Sequence, residues 1–194
     1  MPTEQLPPTA FLIGERLYLR ALAEADADGP YAGWFNDAET CRGNSHHVFP
    51  ATSESVLEYI RNSFRTRESL ILAIVLKDGQ RHIGNIALQN IQPLHRTAEL
   101  SILLGDRATW GRGYAAEAAE LILAHGFHSL NLHRVGCGTF ADNKAMQKLA
   151  QRLGMREEGR RREAAFKNGV LQDVIVYGLL RGEFDSTHKP QPTS

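Results

Sequence analysis

The sequence predicts an α/β (α+β) domain with a mixed, mostly antiparallel central sheet of about six or seven strands, flanked by about four helices. Three observations carry this reading. Apolar segments of strand length recur along the chain, at residues 70–76, 83–88, 98–104 and 134–140. Two of the junctions have hairpin-turn chemistry: Lys77-Asp78-Gly79-Gln80, and Lys167-Asn168-Gly169 with its Asn-Gly pair. Between segments 98–104 and 134–140 lies a stretch of strong helical composition, residues 115–130, which makes a strand–helix–strand unit.

The elements follow in order. Leu17, Leu19 and Ala21 alternate with Tyr18, Arg20 and Leu22, the pattern of a first strand. Residues 26–36 read as a short helix despite Gly29 and Pro30. Thr52 or Ser53 can cap a second helix, with Glu54 in its first turn and Val56, Leu57, Ile60 and Phe64 at helical spacing. Segment 70–76 is apolar throughout, as a strand buried on both faces should be. Asn143 opens a further helix over 143–153, which Gly154 stops. Residues 155–166 and 171–180 are the two late strands.

Composition narrows the function classes. The chain has 194 residues, 42% hydrophobic and 23% charged, which suits one domain with a sizeable core. Lys plus Arg and Asp plus Glu are 22 each, so the basic surplus of a nucleic-acid binder is missing. No apolar run approaches the roughly 20 residues needed to cross a bilayer, and the start has no secretory pattern. Cys41 and Cys137 read as unpaired thiols, and a cytoplasmic location is expected. The eight histidines show no compact spacing with acids or cysteines, so no metal site is expected. Residues 1–10 and 183–194, polar and Pro-containing, are expected to be loose tails around a single domain, 11–182.

The chemistry concentrates at Trp110-Gly111-Arg112-Gly113-Tyr114-Ala115, between a buried strand and a helix. A helix start carries unsatisfied N–H groups and a partial positive charge, and glycines let that backbone approach a phosphate. The turn is no Walker loop, because no Gly-Lys-Ser/Thr follows, and Ala116 breaks a Gly-x-Gly-x-x-Gly pattern. Alone it is a generic anion site or a plain turn.

The stretch TWGRGYAAE, residues 109–117, resembles the pyrophosphate loop of the GNAT superfamily of N-acetyltransferases, closest to the branch of ribosomal-protein N-terminal (RimJ/RimL-type) acetyltransferases. Trp110 takes the first place of that pattern, Gly113 the fourth and Ala115 the sixth. Further pieces stand in the branch's order: Gly14-Glu15-Arg16-Leu17-Tyr18-Leu19-Arg20, Trp34-Phe35-Asn36-Asp37, Ala98-Glu99-Leu100, Ala141-Asp142-Asn143-Lys144-Ala145, and Leu153-Gly154-Met155. Gly169 and Asp173 fall in the final hairpin, so the resemblance spans nearly the whole chain.

The resemblance implies the GNAT fold, acetyl-CoA as co-substrate without a metal, and a primary amine as acceptor, either a small molecule or a protein N-terminus. It implies no nucleic-acid or membrane partner, and a monomer or homodimer. By position it puts Gly111, Arg112, Gly113, Tyr114 and Ala115 on the pyrophosphate, and the backbone of Leu103, Leu104 and Gly105 on the pantetheine arm, with a backbone N–H near Leu103 facing the thioester oxygen. Asn143 would touch the same arm; as a residue type it is equally a helix cap. Glu99 aligns with the catalytic base, and otherwise reads as half of a structural salt bridge. Trp34, Phe49, Asn85 and Tyr177 are acceptor-pocket candidates or core residues. Met146 and Ala150 stand where relatives carry a proton-donating Ser or Tyr, leaving Tyr177, Tyr114 or water as the acid. A catalytically weak acyl-CoA sensor or interaction module on the same fold is the alternative.

Overall fold

The computed structural model of the chain describes residues 6–187. Among the described residues eight strands form one sheet: β1 (Ala10–Ile13), β2 (Leu17–Ala21), β3 (Leu70–Leu76), β4 (His82–Gln92), β5 (Thr97–Leu104), β6 (Arg134–Phe140), β7 (Arg156–Lys167) and β8 (Val170–Leu180). Their spatial order is β1-β2-β3-β4-β5-β6-β8-β7, and only β5 and β6 run parallel. The helices are α1 (Tyr31–Asn36), α2 (Ser53–Ser63), α3 (Tyr114–His128), α4 (Lys144–Arg152) and α5 (Arg181–Thr187). The mixed, mostly antiparallel class read from the sequence is the one observed, with one strand and one helix more than expected.

Local chemistry explains most boundaries. Thr52 is the N-cap of α2: its hydroxyl accepts from the Ser55 amide at 3.1 Å, and the Ser55 hydroxyl accepts from the Thr52 amide at 2.9 Å. Asn168 and Gly169 both have positive φ, 51° and 81°, as the tight β7–β8 turn demands. The helix expected over 26–36 is broken in two. A 3-10 turn, Glu24–Asp28, ends at Gly29 in an extended conformation, and α1 starts after Pro30, whose ring leaves no N–H to continue a helix.

The extra elements lie where loose tails were expected. β1 starts at Ala10, inside the 1–10 tail. Residues 181–187 form α5, and Phe184, 2% exposed, packs on Phe127 with ring centroids 5.2 Å apart. Phe184, with the contacts of Glu183 to Arg156 and of Asp185 to His128, docks this helix, so the expectation of a loose end is corrected for 183–187. Residues 1–5 and 188–194 lie outside the described residues.

The sheet has a core on each face. Leu72, Ile74 and Leu76 of β3 pack with Ile122, Leu123 and Phe127 of α3. Ala73 and Val75 pack on the opposite face with Tyr18, Tyr31, Trp34, Val56 and Ile60. Covering both faces is why β3 reads as one continuous apolar run.

The feature that shapes the site is a fork. β5 and β6 pair only over Thr97–Glu99 against Arg134–Gly136. Beyond that, β5 stays with β4 as far as Leu104 opposite Gly84, and β6 stays with β8 as far as Phe140 opposite Val174. A V-shaped gap therefore opens between two neighbouring strands. At its open end Gly105 lies under the Trp34 indole, and a Cβ built there would sit 1.8 Å from a ring carbon. Gly105→Ala is expected to lower stability by about 1–3 kcal/mol in urea unfolding followed by tryptophan fluorescence, because the indole must move. Gly182→Ala, with open space around the new methyl, should stay within about 0.5 kcal/mol.

Candidate active site

The glycine-rich turn stands beside the open end of the gap. Gly111 and Gly113 both have left-handed φ, 73° and 82°, a conformation glycine adopts without strain. Gly113 is the N-cap of α3 and contributes no side-chain acceptor, so nothing from the cap residue covers the first amides of the helix. The Trp110 indole Nε1 donates to the Leu104 carbonyl at 2.9 Å, fastening the turn to the end of β5.

Sequence reasoning missed one cation at this turn. Arg16 donates from Nη1 to the Arg112 carbonyl at 2.9 Å, and its guanidinium lies 4.6 Å from the centre of the Tyr114 ring. Its Nε pairs with Glu117 Oε2 at 2.8 Å, and its backbone N–H donates to Glu117 Oε1 at 2.7 Å. Glu117, in the first turn of α3, is thus held by Arg16, which limits its repulsion of an anion at the helix start. The segment containing Arg16 carried part of the family resemblance, but its approach to a turn about a hundred residues away is a tertiary fact.

Along the gap, Gly105 N–H donates to the Ile83 carbonyl of β4 at 2.9 Å. N–H directions alternate along an extended strand, so Leu103 also turns toward β4, while Leu104 and Ile102 turn toward the gap. The amides facing the open side are those two. The oxyanion donor expected near Leu103 is better sought one residue to either side.

On the sheet face opposite α3 lies a cleft of ≈ 510 Å³. Its floor is the β4–β5 ladder, with Asn85 opposite Leu103 and Ala87 opposite Ser101; its walls come from α1, α2 and residues 44–51. Glu99 is the next rung, opposite Gln89, on the face shared by Ser101 and Leu103. It is exposed, and its carboxylate makes no hydrogen bond or ion pair with a described residue. The salt-bridge reading of Glu99 therefore finds no partner here, and the desolvation cost expected of a charge in an apolar strand is avoided by its position on the open face.

The four acceptor candidates separate. Phe49 and Asn85 line the cleft. Trp34 does not: it is 6% exposed and packs over Gly105 and against His82, with ring centroids 5.0 Å apart. Tyr177 does not either. It is buried in the core on the α3 side, opposite Cys137 of β6, and burial raises its phenol pKa. As a core phenol on the wrong face, Tyr177 is withdrawn as a cleft residue and as a proton donor to the cleft. Asn143 behaves as a cap: its Oδ1 accepts from the Met146 amide at 3.1 Å, and its Nδ2 donates to the Gly43 carbonyl at 3.0 Å.

Behind the cleft runs a buried polar chain. Arg20 grips Asp26 with two bonds of 2.8 and 2.7 Å, and the Ala23 amide adds a third at 2.7 Å. His82 Nδ1 lies 3.4 Å from Asp26 Oδ1. His82 Nε2 faces two acceptors, the Gly84 carbonyl at 2.9 Å and Asn85 Oδ1 at 3.0 Å, so Nε2 is a donor. That fixes the Asn85 amide: its oxygen faces His82 and its NH₂ faces the cleft. Burial pushes the Asp26 carboxyl pKa up, but the bonds from Arg20 and the Ala23 amide, with the His82 ring beside them, outweigh it and hold it well below the usual range.

Among the described residues no group of three or more His, Cys, Asp or Glu is placed to hold a metal ion, and no helix is long and apolar enough to cross a membrane. The acetyltransferase (GNAT) domain family matches residues 16–156. The uncharacterized N-acetyltransferase p20 of Bacillus licheniformis is 30% identical over 175 residues, 89% of this chain and 97% of that protein. The spermidine N-acetyltransferase of Vibrio cholerae, solved with CoA and spermine, superposes with a TM-score of 0.80 at 24% identity, covering 87% of this chain and 98% of that one. RimL, a ribosomal L7/L12 α-N-protein acetyltransferase solved with coenzyme A, superposes with a TM-score of 0.78 at 19% identity, covering 85% and 94%.

The buried chain yields a pH prediction. The folded pKa of Asp26 is depressed, so its contribution to stability is complete above the unfolded value of about 4 and is lost as pH falls below it. Asp26→Asn is expected to cost about 3–5 kcal/mol at pH 7, because Arg20 is left buried without its partner. The cost should shrink steadily between about pH 4 and pH 2 in denaturant titrations.

Proposed function

The chain belongs to the GNAT acetyltransferase family, and we propose that it moves an acetyl group from acetyl-CoA directly to a primary amine while both are bound. The observation that carries this reading is the fork. The gap between β5 and β6 meets the uncovered start of α3 at its open end, and Glu99 stands beside its closed end on the cleft face.

These residues fit the coenzyme. The left-handed glycines and the bare N-cap suit a pyrophosphate, with Arg16 and Arg112 as neighbouring cations. The Ile102 and Leu104 amides suit the polar atoms of an extended arm. Bound there, the thioester supplies an activated acyl group. Glu99 accepts a proton from the incoming ammonium, because an alkylamine of pKa near 10 arrives charged at neutral pH. The β4–β5 floor orients the amine, and the aromatic walls exclude water. The relatives' acceptors, spermidine in one and a ribosomal protein N-terminus in another, define the range to be tested.

Met146 and Ala150 cannot donate a proton, and this favours a second reading: a weakly catalytic acyl-CoA sensor. Thiol release from acetyl-CoA over an amine panel separates the two. Binding of acetyl-CoA with no turnover on any amine favours the sensor.

Glu99→Gln is expected to lower kcat at pH 7 by about 10²–10⁴-fold, with recovery toward pH 10 as the free amine becomes abundant. An unchanged pH–rate profile removes Glu99 as the base. Gly113→Val, which forces a branched side chain into a left-handed backbone, should weaken acetyl-CoA binding about tenfold or more in calorimetry, since the amides lose their aim.

A further inference from the structure

The cleft also carries information about its acceptor, on the premise that the chain is an acetyltransferase acting on amines. None of the described residues lining it is Asp, Glu, Lys or Arg. Its walls present Tyr31, Phe35, Phe49 and Tyr59. Phe49 is 84% exposed and Val48 is 68% exposed, and both are held by a loop fastened at each end. The Asn36 side chain exchanges two bonds with Ala51, of 2.7 and 2.8 Å, and Asn143 holds Gly43. Apolar side chains displayed by a fastened loop at a cleft mouth mark a surface that an apolar partner covers.

The electrostatics point the same way. The buried Lys167 ammonium donates to the His46 carbonyl behind this wall. Burial, and then the Lys167 charge, hold the His46 ring below its ordinary pKa, so at pH 7 the wall presents a neutral ring backed by a cation. A second or third ammonium on the acceptor would meet a positive charge and no lining carboxylate. Glu99 stands at the floor's end for the reacting amine alone.

Two donors converge inside the cleft. Tyr31 is 1% exposed and lines the cleft; the Asn85 side chain lies near enough to its oxygen to oppose part of the burial effect on its pKa, while its hydroxyl makes no close hydrogen bond and its proton finds no acceptor among the described residues. Asn85, held by His82, turns its NH₂ to the same space. Burial raises the Tyr31 pKa far above its ordinary value, so the phenol keeps its proton. A buried hydroxyl without a partner costs free energy unless something supplies an acceptor.

We propose that the acceptor is a small monoamine with an aromatic or bulky apolar body and one oxygen that accepts from Tyr31 and Asn85, rather than a linear polyamine.

The test is thiol release from acetyl-CoA on four acceptors: phenylalaninamide, 2-phenylethylamine, spermidine, and a peptide with a free N-terminus. The expected order puts phenylalaninamide first, above spermidine by more than about tenfold in kcat/KM, because unpaired buried charge is costly. Its advantage over 2-phenylethylamine, which lacks the oxygen, is expected at about three- to tenfold, and Tyr31→Phe should bring that ratio toward one. Val48→Glu, at the exposed mouth, should raise spermidine use relative to phenylalaninamide. Preference for spermidine or the peptide in the wild-type protein overturns the proposal and leaves amine acetylation standing, as does a Tyr31→Phe ratio that does not move. If acetyl-CoA binds but no amine turns over, acetyl transfer fails instead. The acceptor proposal is then read from calorimetric binding to the CoA-saturated protein, where spermidine binding as tightly as phenylalaninamide overturns it.

Discussion

The fork between β5 and β6 is the constraint on which the rest of the structure depends. A strand that leaves its neighbour gives up a row of ladder hydrogen bonds, and free backbone groups are costly unless they find partners. Here three residue pairs hold the closed end, and β4 and β8 each keep one arm. Beyond Glu99 the backbone of β5 is left without a partner strand on its β6 side. The start of α3 stands beside the open end because the Trp110 indole bonds the last carbonyl of β5 and Trp34 covers Gly105. Two tryptophans that contribute no chemistry set the geometry of the gap.

The cleft side is built on a different principle. Its floor is ordinary antiparallel ladder, but its polar atoms are aimed from behind. Arg20, Asp26 and His82 form a buried series that ends at Asn85 and sets which end of that amide faces the cleft. Such a series is stabilising only when every member is satisfied, which makes the amide's orientation rigid. The wall of residues 44–51 has no regular secondary structure, yet Asn36 and Lys167 fasten it and Asn143 holds Gly43 just ahead of it.

Much of this was legible beforehand, and the misreadings have specific causes. β3, the Thr52 cap, the Asn168-Gly169 turn and the Asn143 cap depend on a few adjacent residues, and the structure reproduces them. Tyr177 was misread because an aromatic residue in a strand says nothing about which face it occupies. β8 pairs with Cys137 of β6 in a register that turns Tyr177 to the α3 side, and a shift of one residue would have reversed it. Trp34 reads from sequence as cleft or core alike, and the core alternative holds because its partner, Gly105, is about seventy residues away. β1 and α5 were missed because four half-exposed residues and one buried Phe184 make too weak a local pattern.

By itself the sequence determined the fold class, the glycine-rich turn ahead of α3, the family and the place of Glu99 near the start of a strand. Strand periods, turn residues and helix starts are written in neighbouring side chains, and a family's motifs stay in order along the chain. Only the tertiary structure decided that the Glu99 carboxylate has no partner among the described residues, that Arg16 reaches the turn, that Asn85 is aimed by His82, and that the described lining of the cleft is aromatic and without carboxylates. Each of these depends on strand register and on contacts between distant segments, which no local pattern encodes.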